Sequence, residues 1–321
     1  MKWLRFLPLL CTVAAAGAQA QPAWPDRPVK LVVPYVTAAM GDLIARLISE
    51  PLRAELGQPF VVDNRPGAGG NIGARAVEQA APDGYTLLVA AANNLVINQF
   101  VYKDLGHDPL RRFEPISVIV DVPSVLFFPA AIPPRTFREF ITWAQANPGK
   151  VNYGSPGSAS TPHLSAEAIN QAFKLGMTHI PYKGASQVIT ALLGNDVQFY
   201  LGGAGVAGSN VKEGRLRAVA VSHPTRIEAL PDTPTFKEAG LGSLNASNWW
   251  GLVAPKGTPA AIINRIHGAL CKSLADPGIR ARIAQFGNVP VCNTPAEMTR
   301  QLADEAAYWQ KAVQVLGIKA D

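Results

Sequence analysis

The loop Gly154–Thr161 is the part of the sequence best suited to hold a ligand. It consists of small residues, follows a short apolar run and precedes a predicted helix with Thr161 as N-cap and Pro162 at the first helical position. Such a loop brings backbone N–H groups, hydroxyls and a helix N-terminus to one point, which is the composition of an anion site. Because it contains no Lys or Arg, we expect it to hold a carboxylate reversibly. The alternative is a flexible Ser/Gly loop.

Six residues in and beside this loop, most of them small or hydroxyl-bearing, are predicted ligand contacts. They are Gly154, Ser155, Ser158, Ser160, Thr161 and His163. His163 and Glu167 share one helix face and could hold a metal with a third ligand, but no second His/Cys cluster accompanies them, so we predict neither metal nor cofactor. A secreted hydrolase that uses Ser158 or Ser160 with His163 is the alternative, although no G-x-S-x-G elbow is present.

Residues 1–20 have the pattern of a cleavable signal peptide. Lys2 and Arg5 precede the apolar segment 6–17, and Ala18-Gln19-Ala20 is an A-x-A cleavage site. The apolar segment is too short to span a bilayer comfortably. We therefore expect an exported, soluble mature chain that starts at Gln21.

The charge of the chain is spread rather than clustered. The formal net charge of +6 becomes +4 when Lys2 and Arg5 are removed, and Arg111-Arg112 is the densest basic pair. This pattern indicates a solvated basic surface, so we predict no nucleic-acid partner.

Two cysteines remain after signal cleavage, Cys271 and Cys292. An even pair in an oxidising compartment is a candidate disulfide, here between a helical segment and a short extended run. Two buried free thiols are the alternative.

Apolar strand-like runs alternate with helical patterns, which predicts an α/β fold with parallel sheets covered by helices on both faces. The predicted strands are 29–33, 60–63, 86–90, 117–120, 125–128, 151–153, 178–180, 197–201, 218–221 and 251–254. The predicted helices are 42–56, 73–80, 136–146, 161–173, 186–193, 206–213, 260–274, 277–285 and 296–316.

The length suggests two domains. We place the crossings between them at 115–123 and 243–250, which gives a first lobe of 21–120 plus 247–321 and a second lobe of 121–246. Ligands would then bind where the carboxyl ends of the strands face each other across a cleft.

Further candidate contacts follow predicted strands at this cleft. Asn93 comes directly after one strand, and Gly203 lies in a Gly-rich segment after another, where the backbone can approach a ligand closely. Trp249 and Trp250 lie at the return crossing, and we predict that they anchor the hinge rather than touch the ligand.

Several motifs together resemble the substrate-binding proteins of tripartite tricarboxylate transporters, also called Bug receptors. The segments that carry the resemblance are 32–46, 58–73, 81–88, 154–167, 179–184 and 248–259. The resemblance implies a two-lobed Venus-flytrap protein of type II-like architecture, each lobe a doubly wound and mainly parallel sheet. It also implies a periplasmic, monomeric receptor that is not an enzyme and that hands a small organic carboxylate to the membrane subunits of a transporter.

In this family two loops clamp the ligand carboxylate, and here they correspond to 35–42 and 154–161. In the first loop the resemblance implies ligand contacts from Tyr35, Thr37, Ala39 and Asp42, and Asp42 is also the predicted N-cap of the following helix. Ala38-Ala39 replaces the family's Gly-Gly pair. Because Ala tolerates positive φ poorly, we predict an altered ligand geometry and preference.

The leading hypothesis is therefore a non-catalytic solute receptor. A ligand sensor for a membrane signalling partner and a secreted Ser/His hydrolase are the alternatives. The sequence leaves the ligand open among citrate, C4 to C6 dicarboxylates, acidic amino acids and aromatic carboxylates.

Overall fold

The computed structural model describes residues 24–319 apart from positions 104, 106, 107, 159, 243, 245 and 247. The predicted signal peptide, residues 1–20, lies outside the described residues. Within the described part of the chain, no helix is long and apolar enough to cross a membrane.

The elements alternate as the sequence patterns predict. The strands are β1 (Val29–Val33), β2 (Phe60–Asn64), β3 (Thr86–Ala91), β4 (Phe113–Asp121), β5 (Ser124–Pro129), β6 (Asn152–Ser155), β7 (Thr178–Pro181), β8 (Phe199–Gly203), β9 (Leu216–Val221), β10 (Trp249–Pro255) and β11 (Val289–Pro290). The helices are α1 (Met40–Leu56), α2 (Asn71–Glu78), α3 (Asn98–Val101), α4 (Pro109–Arg112), α5 (Phe137–Gln145), α6 (Thr161–Ala172), α7 (Ala185–Leu193), α8 (Gly208–Lys212), α9 (Ala260–Ala275), α10 (Pro277–Gln285) and α11 (Pro295–Leu316). Short 3-10 turns at Ala68–Gly70 and Ala204–Val206 and a π-helical turn at Asn93–Ile97 complete them.

The strands form two separate sheets, in the orders β11-β4-β10-β3-β1-β2 and β7-β6-β8-β5-β9. Strand β1 is parallel to β2 and β3, whereas β10 is antiparallel to β3 and β4. In the second sheet β6 is parallel to β7 and β8, whereas β5 is antiparallel to β8 and β9. The α/β fold with two sheets is confirmed. The mainly parallel direction is confirmed as well, since β1–β4 run the same way in the first sheet and β6–β9 run the same way in the second. Only β10, β11 and β5 run against them, which makes both sheets mixed.

The chain crosses between the sheets twice. It leaves the first sheet after Asp121 and enters the second at Ser124, then returns from Val221 to Trp249. The two crossings run side by side, since the Val122 N–H donates to the Asn248 carbonyl at 2.7 Å. We call the part built on the first sheet the first lobe and the part built on the second sheet the second lobe. The lobe limits at 120/121 and 246/247 stay predictions.

Alternation along β1 shows how the core of the first lobe is layered. Leu31 and Val33 face a cluster that includes Ile48 of α1, whereas Val32 faces the opposite cluster, which includes Trp309 of α11. A strand covered by helices on both faces buries both sets of side chains, and this explains its continuous apolar sequence.

The lobes also touch away from the crossings. Leu164 of α6 is fully buried in the first-lobe cluster that contains Trp249 and Met298. A Cβ on Gly205 would overlap the carbonyl of Phe286, so only glycine allows that approach of the second lobe to α10. The second lobe is therefore packed against the first at several points.

A disulfide joins Cys271 of α9 to Cys292, with the two Cα atoms 5.5 Å apart. It ties the helix to the segment that follows β11. The Nε2 atom of His267 lies 3.4 Å from the Cys271 Sγ, and these three residues are close enough to hold a metal ion. Sulfurs that are bonded to each other are not thiolate ligands, so the two roles exclude each other.

Candidate functional site

A cavity of about 440 Å³ lies between the lobes at the ends of several strands. The residues that line it are Tyr35, Met40, Gly69, Ala91, Asn93, Asn98, Tyr102, Val122, Pro156, Gly157, Ser158, Ser160, Thr161, Pro162, Ala185, Tyr200, Gly203, Asn248 and Trp250. None of these described residues is charged. Larger hollows of about 660 and 690 Å³, beside α10 and between α6 and α11, lie away from the loop 154–161. The 440 Å³ cavity is the one at the carboxyl ends of the strands, where α/β proteins bind ligands.

The structure divides the predicted contacts into two groups. Those that line the cavity are Tyr35, Asn93, Ser158, Ser160, Thr161 and Gly203. Those that lie beside or behind the lining are Thr37, Ala39, Asp42, Gly154, Ser155 and His163.

The second-lobe loop ends in a helix whose cap differs from the prediction. The N-cap of α6 is Ser160, whose Oγ accepts the N–H of His163 at 3.4 Å and donates to the Gly157 carbonyl at 2.7 Å. Thr161 is the first helical residue, so its N–H has no intrahelical acceptor. Neither this N–H nor the buried Thr161 hydroxyl bonds to another described residue. Both groups are available to a ligand in the cavity.

Ser155 supports the loop from behind. It is fully buried, its Oγ donates to the Gly157 carbonyl at 2.9 Å, and it lies 2.7 Å from the Nε2 of His179. The serine–imidazole contact is thus Ser155 with His179, rather than Ser158 or Ser160 with His163. A hydroxyl enclosed in this way holds the shape of the loop and is poorly placed to attack a substrate.

Two imidazoles stack behind the loop. The rings of His163 and His179 are nearly parallel, with their centroids 3.7 Å apart, and Tyr153 stacks on His179 at 5.0 Å. Burial lowers the pKa of His163 to about 4; His179 lowers it as well, whereas Glu167 raises it. Burial also lowers the pKa of His179. Both rings are therefore neutral at pH 7.

The first-lobe loop places Asp42 inside helix α1 rather than at its cap. The N-cap is Ala39, and Asp42 Oδ2 accepts hydrogen bonds from the Ala38 N–H and the Arg46 Nε–H, each at 3.0 Å. Burial opposes ionisation of Asp42, but the bonds from Arg46 and Ala38 outweigh it and lower the pKa. Exposed Thr37 turns towards Asn64 instead of the cavity. These contacts fix the loop, and the carboxylate of Asp42 does not face the ligand space.

Only one of the two unusual alanines has the backbone geometry expected of glycine. Ala38 lies at φ +64°, in the left-handed region, whereas Ala39 is extended at φ −73° and ψ 164°. The sequence-based expectation of strain therefore applies to Ala38 alone.

A network of amides and aromatic rings forms the first-lobe wall. The Tyr35 hydroxyl lies 3.0 Å from Asn93 Oδ1 and 3.2 Å from Asn94 Oδ1, and its ring meets Trp250 edge to face with centroids 5.3 Å apart. Both asparagine side chains donate to the carbonyl of Gly69. Burial raises the pKa of Tyr35 to about 12. The wall is thus neutral, and hydrogen bonds and ring packing within the protein hold its side chains in place.

Sequence reasoning missed several of the lining residues, and Trp250 is the clearest case. Trp249 anchors the first lobe through bonds from Nε1 to Glu305, whereas Trp250 lines the cavity and lies over Gly41, where a Cβ would overlap its ring. Successive residues of a strand point to opposite faces, so an adjacent Trp pair could have signalled that the two rings pack in different places, Trp249 in one core cluster and Trp250 in the other, beside the cavity. Met40, Tyr102, Tyr200 and Asn248 carried no such signal.

Three helices begin at the cavity. Their first residues are Met40 of α1, Thr161 of α6 and Ala185 of α7, and all three line it. Each helix start presents N–H groups without intrahelical acceptors and the positive end of a dipole. The cavity therefore lies at the starts of three helices and has no cation among its described lining residues, a setting in which a carboxylate can be held and released.

The chain is similar in sequence and in structure to known bacterial proteins. Residues 44–318 match a family described as "Tripartite tricarboxylate transporter family receptor". Protein BugT of Bordetella pertussis is 30% identical over 311 residues, which cover 97% of this chain and 95% of BugT. An R. palustris structure with adipate is 31% identical with a TM-score of 0.81, covering 92% of this chain and 99% of that one. MatC from Rhodopseudomonas palustris with bound malate is 28% identical with a TM-score of 0.77, over 90% of this chain and 100% of that one.

The conformation of Ala38 predicts opposite effects for two neighbouring substitutions. A left-handed alanine costs about 1–2 kcal/mol, which roughly offsets the entropy of about 0.5–1 kcal/mol that glycine adds to the unfolded chain. Ala38→Gly should therefore leave the free energy of unfolding unchanged or raise it by up to about 1 kcal/mol, whereas Ala39→Gly should lower it by about 0.5–1 kcal/mol. Urea titration of both variants measures this, and equal losses would contradict the left-handed assignment.

The buried His163 predicts a loss of stability in acid. Its pKa of about 4 in the folded protein lies below the value of about 6.5 in the unfolded chain, so the unfolded state binds more protons between these values. The contribution of His163 to stability is nearly complete above pH 6.5, falls by about 3 kcal/mol as the pH drops to 4 and levels off below that.

The test is the difference in unfolding free energy between wild type and His163→Gln. Burial raises the pKa of Asp121 to about 6, and this group changes stability in the opposite direction over the same range, so the wild-type profile alone is not diagnostic. Wild type should lose stability relative to the variant from pH 7 to pH 4. Parallel profiles would contradict the buried, neutral state of His163.

Proposed function

The chain belongs to the tripartite tricarboxylate transporter receptor family, and from this premise we propose that it is a periplasmic solute receptor. It captures a small organic carboxylate in the cavity between its lobes and delivers it to the membrane subunits of a transporter. Export through the predicted signal peptide, residues 1–20, supplies the mature chain to the periplasm, where it acts as a monomer.

The observation that carries this proposal is the uncharged cavity that receives three helix N-termini. A carboxylate that leaves water needs hydrogen bonds to replace its hydration. The N–H and hydroxyl of Thr161 supply such bonds, and the starts of α1 and α7 add their dipoles. Because the groups that replace water around the carboxylate are neutral, release of the ligand does not have to break an ion pair.

The walls suit a carboxylate with an apolar body. Tyr35, Tyr102 and Trp250 line the cavity together with Met40 and Val122, so the part of the ligand beyond the acid group meets mostly apolar surface. Adipate and malate, which the two R. palustris relatives hold in their structures, are small carboxylates.

Binding proceeds without covalent chemistry, metal or cofactor. The serine–imidazole contact of Ser155 and His179 lies behind the loop, in a place that favours a structural role over a hydrolytic one. The effect of Ala38 and Ala39 on ligand preference stays a prediction, since neither residue lines the cavity.

Calorimetry on the mature chain tests the proposal directly. Adipate, malate, citrate and benzoate are titrated with and without excess EDTA, and at least one should bind with one site per chain and unchanged affinity in EDTA. Hydrolysis of an ester panel is measured in parallel. Binding only to cations or sugars, loss of binding in EDTA or turnover of an ester would overturn the proposal.

Two threonine substitutions, a test and its control, measure how much the Thr161 hydroxyl contributes to ligand binding. Thr161→Val removes a hydroxyl that faces the cavity, and loss of a neutral donor to a charged group costs about 1.5–3 kcal/mol, or roughly ten- to a hundredfold in Kd. Thr37→Val removes an exposed hydroxyl outside the lining and should leave Kd unchanged. Equal affinities for the carboxylate that wild type binds would exclude Thr161 from the clamp.

A further inference from the structure

Tyr200 is a buried side chain whose hydroxyl has no hydrogen-bond partner among the residues that the structure describes. The residue lies on β8 with 1% of its surface exposed, and it lines the cavity. Its hydroxyl makes no hydrogen bond to any other described residue, and burial alone raises its pKa. Buried polar atoms are nearly always paired, so an unpaired hydroxyl at a cavity surface calls for an external partner.

Packing, rather than hydrogen bonding, fixes the direction of this ring. Tyr200 lies opposite Phe127 of β5, and the two rings stack with centroids 6.3 Å apart and an angle of 25° between their planes. The far end of the ring lies over Gly202, where a Cβ would overlap both Cζ and the hydroxyl oxygen. Glycine at 202 thus lets the phenol lie along the strand and carry its hydroxyl to the end of β8, where Gly203 lines the cavity.

We infer that Tyr200 is a ligand-binding residue whose hydroxyl donates to an oxygen of the bound carboxylate on the second-lobe side. This inference rests on the proposed function. A phenol is a neutral donor, so it joins Thr161 in replacing water around the ligand without adding charge. A site built to bond an oxygen discriminates strongly against an analogue that lacks it, because its buried polar group is then left unpaired. Tyr200 therefore selects ligands that carry an oxygen acceptor at this position.

The neighbouring strand supplies a control. Tyr153 of β6 is buried to the same extent, with 1% of its surface exposed, but its hydroxyl donates to Glu167 at 2.7 Å and it does not line the cavity. Tyr153→Phe and Tyr200→Phe each remove one buried hydroxyl and keep the ring. The first breaks a bond within the protein, whereas the second removes a hydroxyl that bonds to none of the described residues.

The experiment measures two quantities on wild type and both variants: the urea midpoint without ligand, and the Kd for adipate, malate, citrate and benzoate. Tyr200→Phe should keep the midpoint and raise the Kd of the carboxylate that wild type binds by roughly ten- to a hundredfold. Tyr153→Phe should lower the midpoint and keep the Kd within about twofold.

Other results would contradict either the inference about Tyr200 or the proposed function. A midpoint for Tyr200→Phe as low as that of Tyr153→Phe would show that the hydroxyl is bonded within the protein, and an unchanged Kd for every probe would show that the ligand does not use it. Either result overturns the inference and leaves the receptor function standing. A wild type that binds no carboxylate overturns the proposed function, and the inference falls with it.

Discussion

The loss of water around a negative charge is the constraint that organises this protein. A carboxylate can enter a 440 Å³ cavity without cations only if other groups replace its hydration. Backbone N–H groups at helix starts do this, and they can converge only if several helices begin at one place. An α/β fold meets that condition because α1, α6 and α7 each follow the carboxyl end of a strand. The sheet layout is therefore a requirement of the site as well as a way to build a core.

Small residues make this convergence possible. Gly41 leaves room for Trp250, and Gly202 leaves room for Tyr200, so the aromatic walls close around the cavity without pushing the helix starts apart. Behind the second-lobe loop, Ser155, His163 and His179 form a packed layer that keeps the loop in one shape. These side chains lose their conformational entropy when the protein folds, so binding of a ligand has little further ordering to do.

Element positions follow from the sequence where local signals agree. The sequence predicts β1 at 29–33 and α10 at 277–285 with the bounds the structure has, since a nearly continuous apolar run defines the strand and Pro277 suits the first position of the helix. At α6 two hydroxyl residues precede Pro162, so the cap prediction is wrong by one residue.

Long-range contacts account for what the sequence does not reveal. The helical segment after β3 was missed because its start depends on Asn93 and Asn94 bonding to Gly69, a distant residue. Strand direction likewise depends on where the chain crosses between sheets. Among the candidate contacts, Tyr35 and Thr161 line the cavity, but Ser155 and His163 do not, since composition cannot tell the front of a loop from its back.

The position of Leu164 links the cavity to the balance between open and closed arrangements. It lies one helical turn after Thr161, yet it is buried in the core of the other lobe. Any separation of the lobes would expose this side chain, at a cost of roughly 1.5–3 kcal/mol. This contact therefore favours the packed arrangement of the two lobes, whatever the cavity contains.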